Sequence, residues 1–187
     1  MKFTPTQIAG LTLVEPDIHR DGRGFLLECY HQQRYHEAGL DAVFVQDNHS
    51  KSGPNTLRGL HMQIELPQVK LVRVLKGRIW DVAVDVRRGS PTFGQHAAAE
   101  LSAESQLQFY IPVGLLHGFL VLSEEAEVEY KCSGFYDAAS ELSVRWNDPD
   151  LAIPWPVESP VLSKKDSGAP SLSGVMERLP RWPASSA

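Results

Sequence analysis

The sequence has no apolar run near the ~18 residues that a membrane-spanning helix needs. Its first residues, Met-Lys-Phe-Thr-Pro-Thr-Gln, lack the apolar stretch of a secretory leader. Cysteine is scarce: Cys29 and Cys132 are the only two, far apart. That excludes a disulfide scaffold and suits a reduced, cytoplasmic chain with two buried thiols. A basic excess is also missing, with 18 Lys and Arg against 23 Asp and Glu, net −5. A general nucleic-acid surface or an anionic-membrane surface is therefore not expected. There is no internal repeat, no low-complexity segment and no glycine-rich phosphate loop; Gly22-Arg23-Gly24 reads only as a turn. With 42% hydrophobic residues, the 187 residues read as one globular domain, 1–187.

What is present is punctuation. Thirteen prolines and 14 glycines separate short apolar runs, as in a protein of many short strands joined by turns. Lys70 to Leu75, a Lys76-Gly77 turn and Arg78 to Val86 read as a hairpin, whose second arm puts Trp80, Val82, Val84 and Val86 on one face. Leu107, Phe109 and Ile111 alternate. Gly118 to Leu122 is continuously apolar, as in a strand covered on both faces. Ala126, Val128, Tyr130 and Cys132 alternate against Glu127, Glu129 and Lys131. Helices are expected at His31 to Ala38, stopped by Gly39, and at Ser171 to Arg178. The pattern predicts an all-β sandwich or barrel, of which the jelly roll is one form. The Pro- and Ser-rich segment from about 154 is expected to wrap its surface.

Two polar residues fall on apolar strand faces. Lys70 shares parity with Val72 and Val74, and Tyr130 with Val128 and Cys132. A lysine facing a β-sandwich interior is costly without a partner or ligand, although a strand-end lysine also snorkels to water. Among the histidines, His61 lies beside Gly59 in a strand-like run, where glycine points to close approach of another backbone. His117 begins the fully apolar strand. Arg58 and His61 have opposite parity, so one pocket receives both only if the strand bulges at Gly59. Pattern alone names these residues without separating a catalytic role from a structural one.

The phrases Asp21-Gly22-Arg23-Gly24-Phe25, Gln46-Asp47-Asn48-His49-Ser50, Leu57-Arg58-Gly59-Leu60-His61 and Lys70-Leu71-Val72-Arg73-Val74 together resemble the dTDP-4-dehydrorhamnose 3,5-epimerase family. So do Gly89-Ser90-Pro91-Thr92-Phe93-Gly94, His117-Gly118-Phe119, Tyr130-Lys131-Cys132, Trp146-Asn147-Asp148-Pro149, and Leu162-Ser163 with Asp166. The resemblance runs from about Gly10 to Asp166. It implies a cupin-type jelly roll, a homodimer and no metal or organic cofactor. It implies inversion of C3 and C5 of a dTDP-4-keto-6-deoxy sugar, a step towards dTDP-L-rhamnose and lipopolysaccharide O-antigen. By resemblance His61 is the base, Asp166 its orienting carboxylate, Tyr130 the acid on the opposite face and Lys70 the enolate-stabilising donor. Arg23, Glu28, Gln46, Asp47, Asn48, Arg58, His117, Glu141 and Lys165 match substrate-holding positions, and Tyr136 matches the aromatic that stacks on thymine.

Met62, His96 and Leu116 depart from the family pattern, which leaves room for an enzyme inverting only C3 or only C5. Two other readings compete. A metal-dependent cupin would want His-x-His, and here Gln63 stands two after His61. A non-catalytic sugar-nucleotide module gives no reason for Lys70, His61, Tyr130 and Asp166 to occur together.

Overall fold

The computed structural model describes residues 1–182. The strands in chain order are β1 (Lys2–Pro5), β2 (Thr12–Glu15), β3 (Ile18–Asp21), β4 (Gly24–Leu27), β5 (Gln46–Ser52), β6 (Leu57–Gln63) and β7 (Lys70–Lys76). There follow β8 (Arg78–Asp85), β9 (His96–Ser102), β10 (Gln108–Ile111), β11 (Leu115–Val121), β12 (Ala126–Cys132) and β13 (Glu141–Ser143). Short helices are α1 (Gln32–Glu37), α2 (Lys164–Ser167) and α3 (Leu172–Val175), the last running into a 3₁₀ turn at Met176–Arg178. A six-stranded sheet in the order β1-β2-β10-β7-β12-β5 faces a five-stranded sheet in the order β13-β6-β11-β8-β9. This is the all-β, cupin-type jelly roll expected. The β3–β4 hairpin forms a two-stranded sheet of its own.

Three apolar layers hold these sheets. Between them lie Val72, Val74, Ile79, Leu101, Phe109, Ile111, Phe119 and Val128. The outer face of the five-stranded sheet is covered by the C-terminal segment, with Leu60, Val82, Val84 and Leu116 against Trp155, Leu172, Val175 and Leu179. The outer face of the six-stranded sheet carries α1, whose Tyr35 packs with Val14, Leu71 and Tyr110. Burying each such side chain fully is worth about 1.5–3 kcal/mol. β11 is buried at all its positions because apolar layers lie on both its faces.

The expected hairpin at Gly77 is a correction. β7 and β8 are not paired; β7 lies between β10 and β12, and β8 between β11 and β9. The chain turns a corner from one sheet to the other. Gly77 has φ +74, and a Cβ there would lie 2.1 Å from the Glu125 carbonyl oxygen. Period-two patterning reports each strand's faces but not which neighbour it pairs with. A second correction concerns Cys29, which is half-buried, whereas Cys132 is buried.

The bulge needed to align Arg58 with His61 is present. His61 pairs with His117 and Arg58 with Phe119, so the four residues 58–61 of β6 span the three residues 117–119 of β11. Leu57, Leu60 and Met62 consequently enter the outer layer, and Arg58 and His61 both turn inward. Gly59 (φ +126) makes this possible, since a Cβ there would lie 2.6 Å from the Gly118 Cα. Gly59→Ala is expected to cost about 2–3 kcal/mol, measured as a lower denaturant midpoint at unchanged slope; a wild-type midpoint would show that the bulge tolerates a side chain.

Candidate active site

A cavity of about 710 Å³ opens between the two sheets at one end of the sandwich. That size suits a small organic ligand. Strand register builds its walls. On the six-stranded sheet, Cys132 pairs with both Lys70 and Gln46, and Tyr130 with both Val72 and Asn48. The next inward row, Val74, Val128 and Ser50, grades into the apolar core. On the five-stranded sheet His61 and His117 stand directly opposite each other. The rim is closed by Tyr136, by Glu141 of β13, and by Ser163, Lys165 and Asp166 from the C-terminal segment.

His61 Nε2 lies 2.5 Å from Asp166 Oδ1. Asp166 is 3% exposed and is fixed by the α2 N-terminus. Ser163 caps that helix, accepting the Asp166 N–H at 3.0 Å and donating its hydroxyl to Oδ2 at 2.8 Å. Burial pushes the Asp166 carboxyl up, but the His61 and Ser163 hydrogen bonds and the His61 and Lys165 charges outweigh it, leaving it below the usual carboxylate range. An ionised Asp166 accepts a hydrogen bond from Nε2–H, which in the neutral ring leaves the Nδ1 lone pair free. Nδ1 lies 3.7 Å from Glu141 Oε1.

His117 is held likewise, its Nε2 2.7 Å from Asp81 Oδ1, with Asp81 fully buried on β8. Burial pushes the His117 ring down, against the charge and hydrogen bond of Asp81. Lys70 Nζ lies 6.0 Å from the centroid of the Tyr130 ring. Burial pushes the Lys70 ammonium down, opposed by Cys132, Glu141 and Asp81. Tyr130 is pushed up, first by burial and then by Cys132 and Glu141, so its phenol stays protonated at neutral pH. Arg58 donates to Ser52 Oγ at 3.0 Å and remains at the cavity wall.

Of the residues singled out from sequence, Gln46, Asn48, Arg58, His61, Lys70, His117, Tyr130, Tyr136, Glu141, Lys165 and Asp166 all line this cavity. Three do not. Asp47 alternates to the outer face of β5, where its carboxylate takes Lys131 at 3.0 Å. Arg23 sits at the tip of the β3–β4 hairpin, bound to Asp21 and 91% exposed. Glu28 follows that hairpin and pairs with Arg34 at 3.1 Å. Asp81 and Ser163 support His117 and Asp166; the sequence sets Ser163 in one phrase with Asp166 but gives neither Asp81 nor Ser163 a role in the site. Ser163 stands three before an acidic residue, the spacing of a helix cap, and was open to detection; Asp81 carried no such signal. Among the described residues no three His, Cys, Asp or Glu side chains converge to hold a metal ion.

Residues 5–174 match the family model described as dTDP-4-dehydrorhamnose 3,5-epimerase. A dTDP-4-dehydrorhamnose 3,5-epimerase of Pseudomonas aeruginosa is 51% identical over 168 residues, covering 89% of this chain and 93% of the relative. The solved dTDP-6-deoxy-D-glucose-3,5-epimerase of Legionella pneumophila, in complex with dTDP-4-keto-L-rhamnose, superposes with TM-score 0.94 at 48% identity, covering 98% and 99% of the two chains. A 3′-monoepimerase of Streptomyces bikiniensis with dTDP-quinovose superposes with TM-score 0.90 at 38% identity, covering 96% and 93%.

Folding holds Asp166, and likewise Glu141, ionised below the usual carboxylate range. Their stabilisation is therefore complete above the unfolded values near about pH 4 and is lost as pH falls through the lower folded ones. Thermal melts are expected to drop in that acid window, and less steeply for Asp166→Asn; identical acid slopes would remove Asp166 from the linkage.

Proposed function

Because this chain belongs to the dTDP-4-dehydrorhamnose 3,5-epimerase family, we propose that it converts dTDP-4-dehydro-6-deoxy-D-glucose to dTDP-4-dehydro-L-rhamnose. It is an isomerase that inverts C3 and C5 by removing and returning protons alpha to the C4 ketone. The observation that carries the reading is that His61 and Tyr130 stand on opposite sheets across one cavity, with Lys70 beside the tyrosine.

Inversion needs a base on one side of the sugar ring and an acid on the other. His61 Nδ1 takes the carbon-bound proton, and the C–H electron pair passes into an enolate on the C4 oxygen. Asp166 holds the ring by Nε2–H and stabilises the imidazolium that forms. A histidine base contributes typically about 10²–10⁴-fold. Lys70 offers its ammonium to the enolate oxygen where charge develops, and one preorganised donor is worth about 3–4 kcal/mol. Tyr130 returns a proton to the carbon from the opposite face. Gln46, Asn48, Arg58, His117, Glu141 and Lys165 hold the dTDP-sugar, with the Arg58 fork suited to its diphosphate and Tyr136 to stacking on thymine.

The working unit is a homodimer in the cytoplasm. Phe25 and Leu26 of the β3–β4 hairpin are 54% and 73% exposed, a cost that a second copy of the chain removes by covering them. The same docking carries Arg23 and Glu28 from the hairpin to the partner's cavity, which explains why they are remote from their own.

In heavy water, the dTDP-4-keto-6-deoxy sugar is expected to acquire deuterium at both C3 and C5. His61→Ala abolishes uptake at both, and Tyr130→Phe lowers turnover. Label at one centre only would mark a mono-epimerase; full uptake by His61→Ala would remove His61 as the base. For the dimer, a mixture of Arg23→Ala chains and His61→Ala chains, each impaired alone, regains activity, because mixed dimers contain one cavity with an intact His61 and the partner's intact arginine. No recovery from co-expressed chains that co-purify would return Arg23 to its own cavity or to no cavity.

A further inference from the structure

Glu141 is the meeting point of the cavity's charges. Its Oε1 accepts Lys165 Nζ at 2.6 Å and lies 3.7 Å from His61 Nδ1, while Oε2 accepts the Tyr136 hydroxyl at 2.8 Å. The carboxylate side chain is 11% exposed, whereas Lys165 and Tyr136 are 54% and 57% exposed at the mouth. One nearly buried anion thus touches two groups that face solvent and, behind them, the ring nitrogen that Asp166 leaves free. Lys70 from β7 and Tyr130 from β12 are the other titratable groups whose charges it influences. Burial pushes the Glu141 carboxyl up, but the Lys165 and Tyr136 hydrogen bonds and the His61 and Lys165 charges outweigh it, so Glu141 is an anion at neutral pH. Lys165, at 2.6 Å, is the nearer of its basic neighbours, and His61, at 3.7 Å, the farther.

We propose that Glu141 couples occupancy of the nucleotide end of the cavity to proton transfer at His61. The proposal deepens the epimerase reading and rests on it. A nucleoside diphosphate draws Lys165 towards its phosphates and the Tyr136 ring onto its base. Glu141 then loses its nearer cation, and its charge bears on the imidazolium formed when Nδ1 takes the carbon-bound proton. The C–H pair remains with the substrate as the enolate, and Glu141 stays ionised throughout. Contacts to the non-reacting nucleotide are thereby expressed in the transition state, not only in binding. Glu141 acts through His61 and is a positioning residue in this step.

The test compares dTDP-4-keto-6-deoxyglucose with the free 4-keto-6-deoxy sugar, both read by deuterium uptake at C3 and C5 in heavy water. Lys165→Met frees Glu141 without any nucleotide, so uptake by the free sugar is expected to rise about tenfold over wild type, the effect of an opposite charge brought to bear on an ionising group. Adding Glu141→Gln to the same chain cancels that rise. Loss of a binding contact cannot produce a gain, and a damaged fold cannot produce one that a second substitution removes. Glu141→Gln alone lowers kcat on the dTDP sugar and displaces the acid limb of its pH profile. Free-sugar uptake that stays level or falls in Lys165→Met, a rise that survives Glu141→Gln, or a Glu141→Gln effect confined to KM each overturns the coupling. If wild type labels the dTDP sugar, those failures belong to the coupling alone; if it labels neither compound, the epimerase reading itself falls.

Discussion

The contact between Gly59 and Gly118 is the constraint on which the site depends. Two backbones approach so closely there that neither residue carries a side chain without displacement: a Cβ on Gly118 would lie 2.8 Å from the Arg58 carbonyl oxygen. The approach allows β6 to hold one extra residue against β11. That residue changes the parity of everything before it. Without the bulge, Arg58 would point into the outer apolar layer while His61 points inward, and Leu57 would exchange a dry environment for the cavity. A single local departure from regular pairing therefore satisfies both the packing of Leu57 and Leu60 and the placement of an arginine beside a histidine.

The electrostatics follow from where the cavity lies. It begins at the end of a dry core, so charges placed there are costly unless they answer one another. The structure meets this with carboxylates from distant parts of the chain. Asp81 on β8 holds His117, Asp166 on α2 holds His61, and Glu141 on β13 holds Lys165 and Tyr136. Lys70 has no ion-pair partner within reach among the described residues, and the anions around it partly offset the burial that pushes its ammonium down. An ammonium left without a close partner in such a cavity retains its hydrogen-bonding capacity for a ligand, which a tightly paired lysine does not.

Much of this was legible in the sequence because strands write their faces in period two. The inward sets Val72 with Lys70, and Val128 with Tyr130 and Cys132, are the sets that meet across β7 and β12. The helix at Gln32–Glu37 was announced by a turn-free run before Gly39. Pairing was not legible: alternation in β7 and β8 is the same whether they form a hairpin or turn a corner between sheets. The side of Asp47 was available from its position between Gln46 and Asn48, since neighbours in a strand face opposite ways. Arg23 lies on, and Glu28 directly after, a hairpin whose own sheet makes no ladder with the main two, so no intrachain pattern fixes where they point.

The C-terminal segment shows why stability and site geometry are tied in this fold. Its composition suggests a surface wrap, yet Trp155, Leu172, Val175 and Leu179 complete the layer that covers the five-stranded sheet. Between Trp155 and Leu172 lies the short α2 turn that presents Lys165 and Asp166 to the cavity. A four-residue helix has too few internal hydrogen bonds to hold itself, so the flanking apolar anchors must position it. Asp148 adds to this, accepting the Leu172 N–H at 2.9 Å and the Arg145 guanidinium at 3.1 Å. The His61–Asp166 distance is in this sense set by packing on the far side of the sheet. A substitution that loosens Trp155 or Leu172 would be felt at the histidine before it was felt in the sandwich core, because the core layer between the sheets is built from other residues altogether.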